Sequence, residues 1–146
     1  MLKHISLAAA LALGAASAFA AWQTPVNMGA TLNTAYNEWY PFVSRGGFYM
    51  IFVSDRPGGR GGMDLWRAGY AGGSWQTPVN LGDFVNSGSN DSVPFLAAND
   101  TRLYFVSDAP GGYGSFDVWW CPVSGGMPTS DKVNLGPPVN TAYLDC

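Results

Sequence analysis

The chain alternates short apolar or aromatic runs with glycine-rich turns, and it shows no helical periodicity after its first twenty residues. Residues 39–43 (WYPFV) are aromatic and β-branched, and residues 48–53 (FYMIFV) form a continuous apolar run, typical of a strand covered on both faces. Residues 44–47 (SRGG) between them predict a hairpin turn. This pattern predicts two antiparallel strands joined by a tight connection.

Two further strands follow in the same stretch. A glycine-rich loop leads to residues 63–68 (MDLWRA), which predict a third strand, and Gly72-Gly73 then turns the chain into a fourth strand around residues 75–79. Pro78 lies in this fourth strand, and proline is tolerated only where one side of a strand has no neighbour. Four antiparallel strands with the last at an edge are typical of a propeller blade.

The whole four-strand pattern is repeated. Residues 22–74 align with residues 75–127 without a gap, and 23 of the 53 aligned pairs are identical. A third, partial copy lies in residues 128–146, where VNLGPPVNTAY restarts the motif. A period of about 50 residues without helices indicates a blade or solenoid architecture. We predict an all-β, β-propeller-like fold of two four-stranded antiparallel blades, with partial flanking strands at residues 22–29 and 128–146.

The loop between the second and third strands is glycine-rich in both copies, as SDRPGGRGGMDLW and SDAPGGYGSFDVW. Glycine adopts a positive φ without steric strain, and an aspartate beside a turn accepts hydrogen bonds from backbone N–H groups. We therefore assign a structural turn role to these loop residues: Asp55, Gly58, Gly59, Asp64, Asp108, Gly111, Gly112 and Asp117.

The compound pattern N-[LM]-G…[VL]-N-[ST]…P-F…F-V-S-D-x-P-G-G-x-G-x-x-D-[LV]-W resembles the TolB-like, WD-repeat-like β-propeller repeat of bacterial envelope proteins. The resemblance covers essentially all of residues 21–146, and it implies a scaffold for protein contacts. Closed propellers typically have about four to eight blades, so two blades leave apolar faces uncovered. Three arrangements remain open: the blades pack face to face as a small sandwich, several chains complete a ring, or the chain is a truncated remnant.

Residues 1–20 have the pattern of a secretory signal. They combine a basic start, an Ala/Leu-rich apolar run and a small-x-small ending at Ala18-Phe19-Ala20, which predicts cleavage after Ala20. The apolar run is too short for a membrane anchor. We therefore expect a soluble exported protein, periplasmic or secreted, with one β-propeller-like repeat domain over residues 21–146.

Charge and composition narrow the function. The chain has 7 Lys and Arg against 10 Asp and Glu, and loss of Lys3 with the signal changes the net charge from −3 to about −4. A weakly acidic chain does not suit nucleic-acid backbones. The single histidine, His4, also lies in the signal, which argues against histidine-dependent catalysis and imidazole metal sites. We expect no cofactor and no metal.

Two sets of carboxylates are candidates for chemistry. Glu38 and its counterpart Asp91 begin the first strand of each copy, where a propeller glycosidase would place a catalytic pair, but acidic residues beside turns more often bind local backbone. The aspartates of the glycine-rich loops lack the alternating spacing of a calcium loop, so turn stabilisation is the favoured role. The sequence therefore predicts a protein that is not an enzyme.

Aromatic residues supply the candidate binding surface. Those that recur at a fixed register, such as Trp66 and Trp119, predict core packing. Those without an aromatic counterpart are freer to be exposed, and the candidates for binding are Tyr113, Trp120, Tyr70 and Trp39. The leading hypothesis is a scaffold for a protein partner or for self-association. The alternatives are a carbohydrate-binding module and, ranked last, a remnant of a propeller glycoside hydrolase.

Cys121 and Cys146 would both reach an oxidising compartment after export. A disulfide between them would stabilise the fold by roughly 3 kcal/mol if the geometry allows it. Two free thiols are the equally supported alternative, and the sequence leaves the choice open.

Overall fold

The computed structural model describes residues 24–146, in which all regular structure is β and no helix is present. Consequently, no helix in this range is long and apolar enough to cross a membrane. The predicted signal sequence and Trp22 lie outside the described residues. The strands are β1 (Glu38–Val43), β2 (Tyr49–Ser54), β3 (Asp64–Ala71), β4 (Ser74–Trp75), β5 (Val79–Asn80), β6 (Asp91–Ala97), β7 (Arg102–Ser107), β8 (Asp117–Ser124), β9 (Met127–Pro128) and β10 (Val133–Asn134).

The strands form two separate antiparallel sheets, and each sheet takes its first three strands from one repeat and the last part of its edge strand from the next copy. In the first sheet β1, β2 and β3 are adjacent in chain order, and β4 and β5 both pair with β3. In the second sheet β6, β7 and β8 are adjacent, and β9 and β10 both pair with β8. Tight connections between consecutive strands produce this antiparallel order. The structure thus confirms an all-β protein with two antiparallel sheets.

The fourth strand of the first sheet is broken in the middle. Residues 76–78 separate β4 from β5, although Gln76 N still donates a hydrogen bond to Gly69 O at 2.8 Å. Pro78 has no N–H to donate, but the equivalent strand of the second sheet is broken in the same way between β9 and β10 without a proline at residues 129–132, so the break does not depend on Pro78. The edge strand predicted around residues 75–79 is therefore present as two short halves. The flanking strand predicted at residues 22–29 is wrong for its described part, since residues 24–29 belong to no strand.

An apolar core lies between the two sheets. The face of the first sheet that contributes to it, which we call the inner face of the first sheet, includes Tyr49, Ile51, Val53 and Leu65. The face of the second sheet that meets it is the inner face of the second sheet. Its core residues are Leu96, Leu103, Phe105, Trp119, Cys121 and Val123. Removing these apolar side chains from water is the main force that holds the sheets together.

Alternate residues of the same strands point to the opposite side, the outer face of the first sheet. Met50, Phe52, Trp66 and Ala68 lie on this face, and Leu32 from the preceding loop packs against them. All six residues of β2 are buried. The continuous apolar run of β2 therefore does correspond to a strand covered on both faces.

The two sheets stack through unlike faces. Phe52 and Trp66 on the outer face of the first sheet are the repeat counterparts of Phe105 and Trp119 on the inner face of the second sheet. A sandwich of like faces would bury the same positions of both repeats, so that alternative does not describe the packing. Instead, both sheets have the same orientation along the stack. One face of each sheet packs in the core, and the opposite face of each sheet lies at an end of the stack.

Candidate binding surface

Three copies of one loop motif precede or follow the sheets, and we call them connectors. The first connector is residues 27–38, the second is residues 80–91 and the third is residues 134–145. Each begins with an asparagine whose Oδ1 accepts a hydrogen bond from the N–H of the glycine two residues later, at 2.8 to 2.9 Å. Each ends with a carboxylate that accepts a backbone N–H from within the connector. The connectors are therefore turns that are stabilised by their own side chains.

The second connector binds the third strand of the first sheet. The side-chain amide of Asn86 accepts a hydrogen bond from Leu65 N and donates one to Leu65 O, both at 2.9 Å. Asp91 N donates to Met63 O at 2.7 Å. Asn86 is only 2% exposed. Its amide therefore provides a partner for Leu65 N and a second donor for Leu65 O, which also accepts from Leu81 N at 3.0 Å.

The third connector binds the second sheet through the same contacts. The side-chain amide of Asn140 accepts from Val118 N and donates to Val118 O, both at 2.9 Å. Asp145 N donates to Phe116 O at 2.9 Å, which matches the bond from the second connector to the first sheet. The third connector therefore repeats, on the second sheet, the contacts by which the second connector joins the two repeats.

The first connector forms the same turn but binds no third strand among the described residues. Asn33 Nδ2 donates to Asn27 Oδ1 at 3.0 Å within the turn. The third strands of the two sheets, β3 and β8, are already bound by the second and third connectors. The first connector is therefore folded like the other two, without a third strand to bind in the described part of the chain.

The glycine-rich loops are organised by their aspartates, as the sequence predicts. Asp64 accepts a hydrogen bond from Arg60 N at 2.5 Å. Gly58 has a φ of 91°, which favours glycine. Gly59 does not need a positive φ, but a Cβ at this position would overlap the Asp64 carboxylate, so close approach is the reason for glycine here. The second loop has the same arrangement with Gly111, Gly112, Tyr113 and Asp117.

Two more aspartates tie the loops to the connectors. Asn37 donates to Asp55 from its backbone N at 2.8 Å and from its Nδ2 at 2.7 Å, and Asn90 does the same to Asp108 at 2.6 and 3.0 Å. The Asn37 hydrogen bonds lower the pKa of Asp55, whereas burial raises the pKa of Asp64. Within residues 24–146 no group of three or more His, Cys, Asp or Glu side chains could hold a metal ion.

Glu38 and Asp91, the candidates for a catalytic pair, each bind their own connector and a cation. Glu38 accepts a connector N–H at 3.0 Å and lies 3.0 Å from Arg56 Nη2. Asp91 accepts a connector N–H at 2.6 Å, lies 3.5 Å from Lys132 Nζ and is fully buried. These are local structural contacts of the kind that acidic residues make beside turns.

The four aromatic residues predicted to bind a partner lie in different parts of the fold. Trp39 is on β1 and is 48% exposed. Tyr70 packs edge-on against Trp75 at the end of β3, with ring centroids 5.0 Å apart. Tyr113 is 56% exposed in the second glycine-rich loop, and Trp120 is half-buried on β8. They therefore do not form one site, whereas Trp66 and Trp119 are buried as their recurrence predicts.

Trp120 is part of an open aromatic surface, the outer face of the second sheet. The rings of Tyr104 and Trp120 are 6.4 Å apart, and Arg102 Cζ lies 5.1 Å from the Trp120 ring centroid. Val118 lies two residues before Trp120 on β8. No third sheet covers this face in the described part of the chain.

The outer face of the first sheet has a cleft of about 90 Å³. Leu32, Trp39, Met50 and Phe52 are among its lining residues. In the second repeat, the counterparts of its apolar lining residues include Leu81, Val85, Leu103 and Phe105, which are buried in the core between the sheets. The cleft therefore lies where a preceding sheet would pack.

Both cysteine thiols are free in the structure. Cys121 is fully buried in the core between the sheets, and Cys146 is exposed. Burial raises the pKa of the Cys121 thiol to about 11. Of the two alternatives that the sequence leaves open, the structure shows the free thiols.

The asparagines that bind strand backbone were not among the predicted site residues. Their signal is nevertheless present, because N-x-G-x-x-x-N occurs in all three connectors and ends at Asn33, Asn86 and Asn140. No known family model matches the chain, and no curated protein matches it. The described structure defines an all-β protein in which two antiparallel sheets are stacked and linked by a repeated asparagine-glycine connector.

Proposed function

We propose that this protein is an exported, non-enzymatic scaffold of β-propeller type that binds a protein partner through the outer faces of its sheets. The observation that carries the proposal is the stacking of the two sheets through unlike faces. Within residues 24–146 it leaves the outer face of the second sheet without a covering sheet, and that face corresponds by repeat to the inner face of the first sheet, which is buried inside the stack. The outer face of the first sheet is covered by Leu32 of the first connector, and a cleft remains open beside it. Open apolar faces of this kind are characteristic of protein-contact sites.

The composition of the outer face of the second sheet supports a protein ligand. Trp120, Tyr104 and Arg102 form one contiguous group there. Tryptophan, tyrosine and arginine are the residue types that contribute most binding energy at protein interfaces. The resemblance of the repeat to TolB-like propellers is in keeping with the same role.

The structural roles of Glu38 and Asp91 support the proposal that the protein is not an enzyme. Glu38 is paired with Arg56, and Asp91 is fully buried. A glycosidase needs two carboxyl groups that face the substrate. Both candidate carboxylates are instead used to stabilise connectors.

The proposal can be tested by site-specific photo-crosslinking in the producing cell. A photoreactive phenylalanine analogue at position 120 or 104 should crosslink to a protein, because both positions lie on the outer face of the second sheet. The same analogue at position 84, where Phe84 is 43% exposed in the second connector, is the control away from the outer faces and should give little crosslinking. Absence of a protein crosslink from both test positions would contradict the proposal.

A carbohydrate ligand is the second candidate, and the Tyr104–Trp120 pair favours it. Two neighbouring aromatic rings tilted by 30° offer apolar surface on which a sugar ring can stack. Binding to a glycan array that is lost in Trp120→Ala, but kept in Tyr70→Ala, would favour this function. No glycan binding together with a protein crosslink would favour the scaffold.

A further inference from the structure

The first and third connectors carry nearly the same binding sequence. Residues 33–38 read NTAYNE and residues 140–145 read NTAYLD, so their first four residues are identical. Residues 140–145 use this sequence to bind β8 and the loop before it. The region of the second sheet formed by β8 and the loop before it is therefore complementary to both segments.

We propose that the third connector occupies this region of the second sheet in the single chain, and that the first connector of a second copy occupies it in a head-to-tail assembly. The inference rests on the protein-binding function proposed above and identifies the partner as another copy of this chain. The second connector brings the two sheets of one chain together through the same contacts. Docking of a first connector on β8 would therefore place a new first sheet on the outer face of the second sheet.

The first connector can make one hydrogen bond that the third connector lacks. In the second connector, Asn90 Oδ1 accepts from Met63 N at 3.2 Å. The counterpart of Asn90 is Asn37 in the first connector and Leu144 in the third. Leu144 has no acceptor in its side chain and is 61% exposed. Replacing the third connector with the first would therefore add a side-chain acceptor for the matching N–H of Phe116, a residue that forms a backbone bridge with Leu144 in the single chain.

The two outer faces that would meet also correspond to faces that already pack inside the chain. Ile51, Val53 and Leu65 of the inner face of the first sheet have the counterparts Tyr104, Val106 and Val118 on the outer face of the second sheet. All three counterparts are apolar or aromatic. On the other side, Met50 and Phe52 lie beneath Leu32 and are only 4% and 2% exposed, so the surface that the first sheet offers is the cleft, whose lining includes Leu32 and Trp39. A contact between two copies would thus repeat the intrachain packing with a similar apolar character.

The first test weakens or strengthens the intramolecular contact. Asn140→Ala removes the side chain that binds Val118, so that β8 becomes available to the first connector of a second copy. The dissociation constant for self-association should therefore fall by about tenfold or more. Leu144→Asn adds the missing acceptor to the third connector and should raise that dissociation constant. Sedimentation velocity over a concentration series measures both, in reductant so that the exposed Cys146 forms no intermolecular disulfide.

The second test asks whether the first connector is the segment that docks. Asn33→Ala in the Asn140→Ala chain should reverse the gain in self-association, because Asn33 is the counterpart of Asn140. A fluorescent peptide of residues 24–40 should bind the Asn140→Ala chain, and the same peptide with Asn33→Ala should not. Cooperative urea unfolding checks that each variant is folded, and Leu144→Asn keeps every native contact of the third connector, so it provides a result even if Asn140→Ala does not fold.

Three results would overturn the inference: a folded Asn140→Ala chain with the self-association of the original protein, self-association that is insensitive to Asn33→Ala, or a Leu144→Asn chain that associates as strongly as the original. Crosslinking from position 120 to a different protein, combined with insensitivity to Asn33→Ala, would keep the protein-binding function and reject the second copy as partner. Failure of all crosslinking from positions 104 and 120 would instead reject the protein-binding function itself.

Discussion

Lys132 occupies in the second sheet the position that Arg56 occupies in the first. Arg56 Cζ lies 5.5 Å from the Trp66 ring, and Lys132 Nζ lies 5.6 Å from the Trp119 ring. Each cation also donates a hydrogen bond to the equivalent carbonyl of a connector, at 2.8 and 2.7 Å. The repeat counterpart of Arg56 is Ala109, so the second cation comes from a different position in the chain. The two repeats therefore share a position for a cation between an aromatic pair and a carboxylate, although the cation comes from a different place in the chain.

Lys132→Met should lower the free energy of unfolding by about 2 kcal/mol, because it removes a cation from two aromatic rings and leaves the buried Asp91 without its charge partner. Urea denaturation measures the change. Lys132→Arg is the control and should retain most of the stability. Adding Ala109→Arg to Lys132→Met should restore part of the loss, since this recreates the arrangement of the first repeat. Equal stability of Lys132→Met and the original chain would contradict the assignment.

Gly61→Ala should destabilise the junction between the repeats by about 1–3 kcal/mol, because the added Cβ would overlap the carbonyl oxygen of Ser89 in the second connector. Gly88→Ala is the matched control in the same junction: a Cβ there meets no atom within 4 Å. This control should change stability by less than about 1 kcal/mol. Thermal unfolding of both variants measures the difference, and similar melting temperatures would argue against close approach as the reason for Gly61.

The carboxyl groups of Asp64 and Asp55 should affect stability with opposite pH dependence. Burial raises the pKa of Asp64 above 3.8, so its contribution is present below pH 3.8 and is lost as the pH rises through the raised value. Hydrogen bonds from Asn37 lower the pKa of Asp55, so its contribution is present above pH 3.8 and is lost as the pH falls through the lowered value.

Asp64→Asn and Asp55→Asn provide non-titrating references for this comparison. As the pH rises from acid toward neutral, the stability of the original chain should decrease relative to Asp64→Asn and increase relative to Asp55→Asn. Urea denaturation at several pH values gives both differences. The same slope for both variants would show that the two environments do not differ as the structure describes.

The two thiols should react at very different rates. Cys146 is exposed and should be alkylated quickly in the native protein, whereas Cys121 is fully buried and has a pKa raised to about 11. Because the thiolate is the reactive form, native Cys121 should react only after unfolding. Mass spectrometry after iodoacetamide treatment should therefore find one modified thiol in buffer and two in denaturant. Fast native modification of both would place Cys121 outside the core.

Most strands and turns were predictable because their determinants are local. The apolar run of residues 48–53 and the glycines that follow it specify β2 and the loop to β3 by propensity and backbone freedom alone. The 53-residue spacing of identical positions predicted that this arrangement would occur twice. Pro78 predicted a fourth strand at an edge, but not the break between β4 and β5, which recurs between β9 and β10 without a proline.

The sequence alone therefore determined an all-β chain with two equivalent antiparallel units. Only the tertiary structure decided which faces meet, that Asn86 and Asn140 bind the backbone of a neighbouring strand, and that Lys132 replaces Arg56. These features depend on contacts between residues that are well separated in the chain, such as Asn86 and Leu65, which are 21 positions apart. Strand propensity is the same for either face of a strand, so a pattern along the chain cannot say which face is buried against which neighbour.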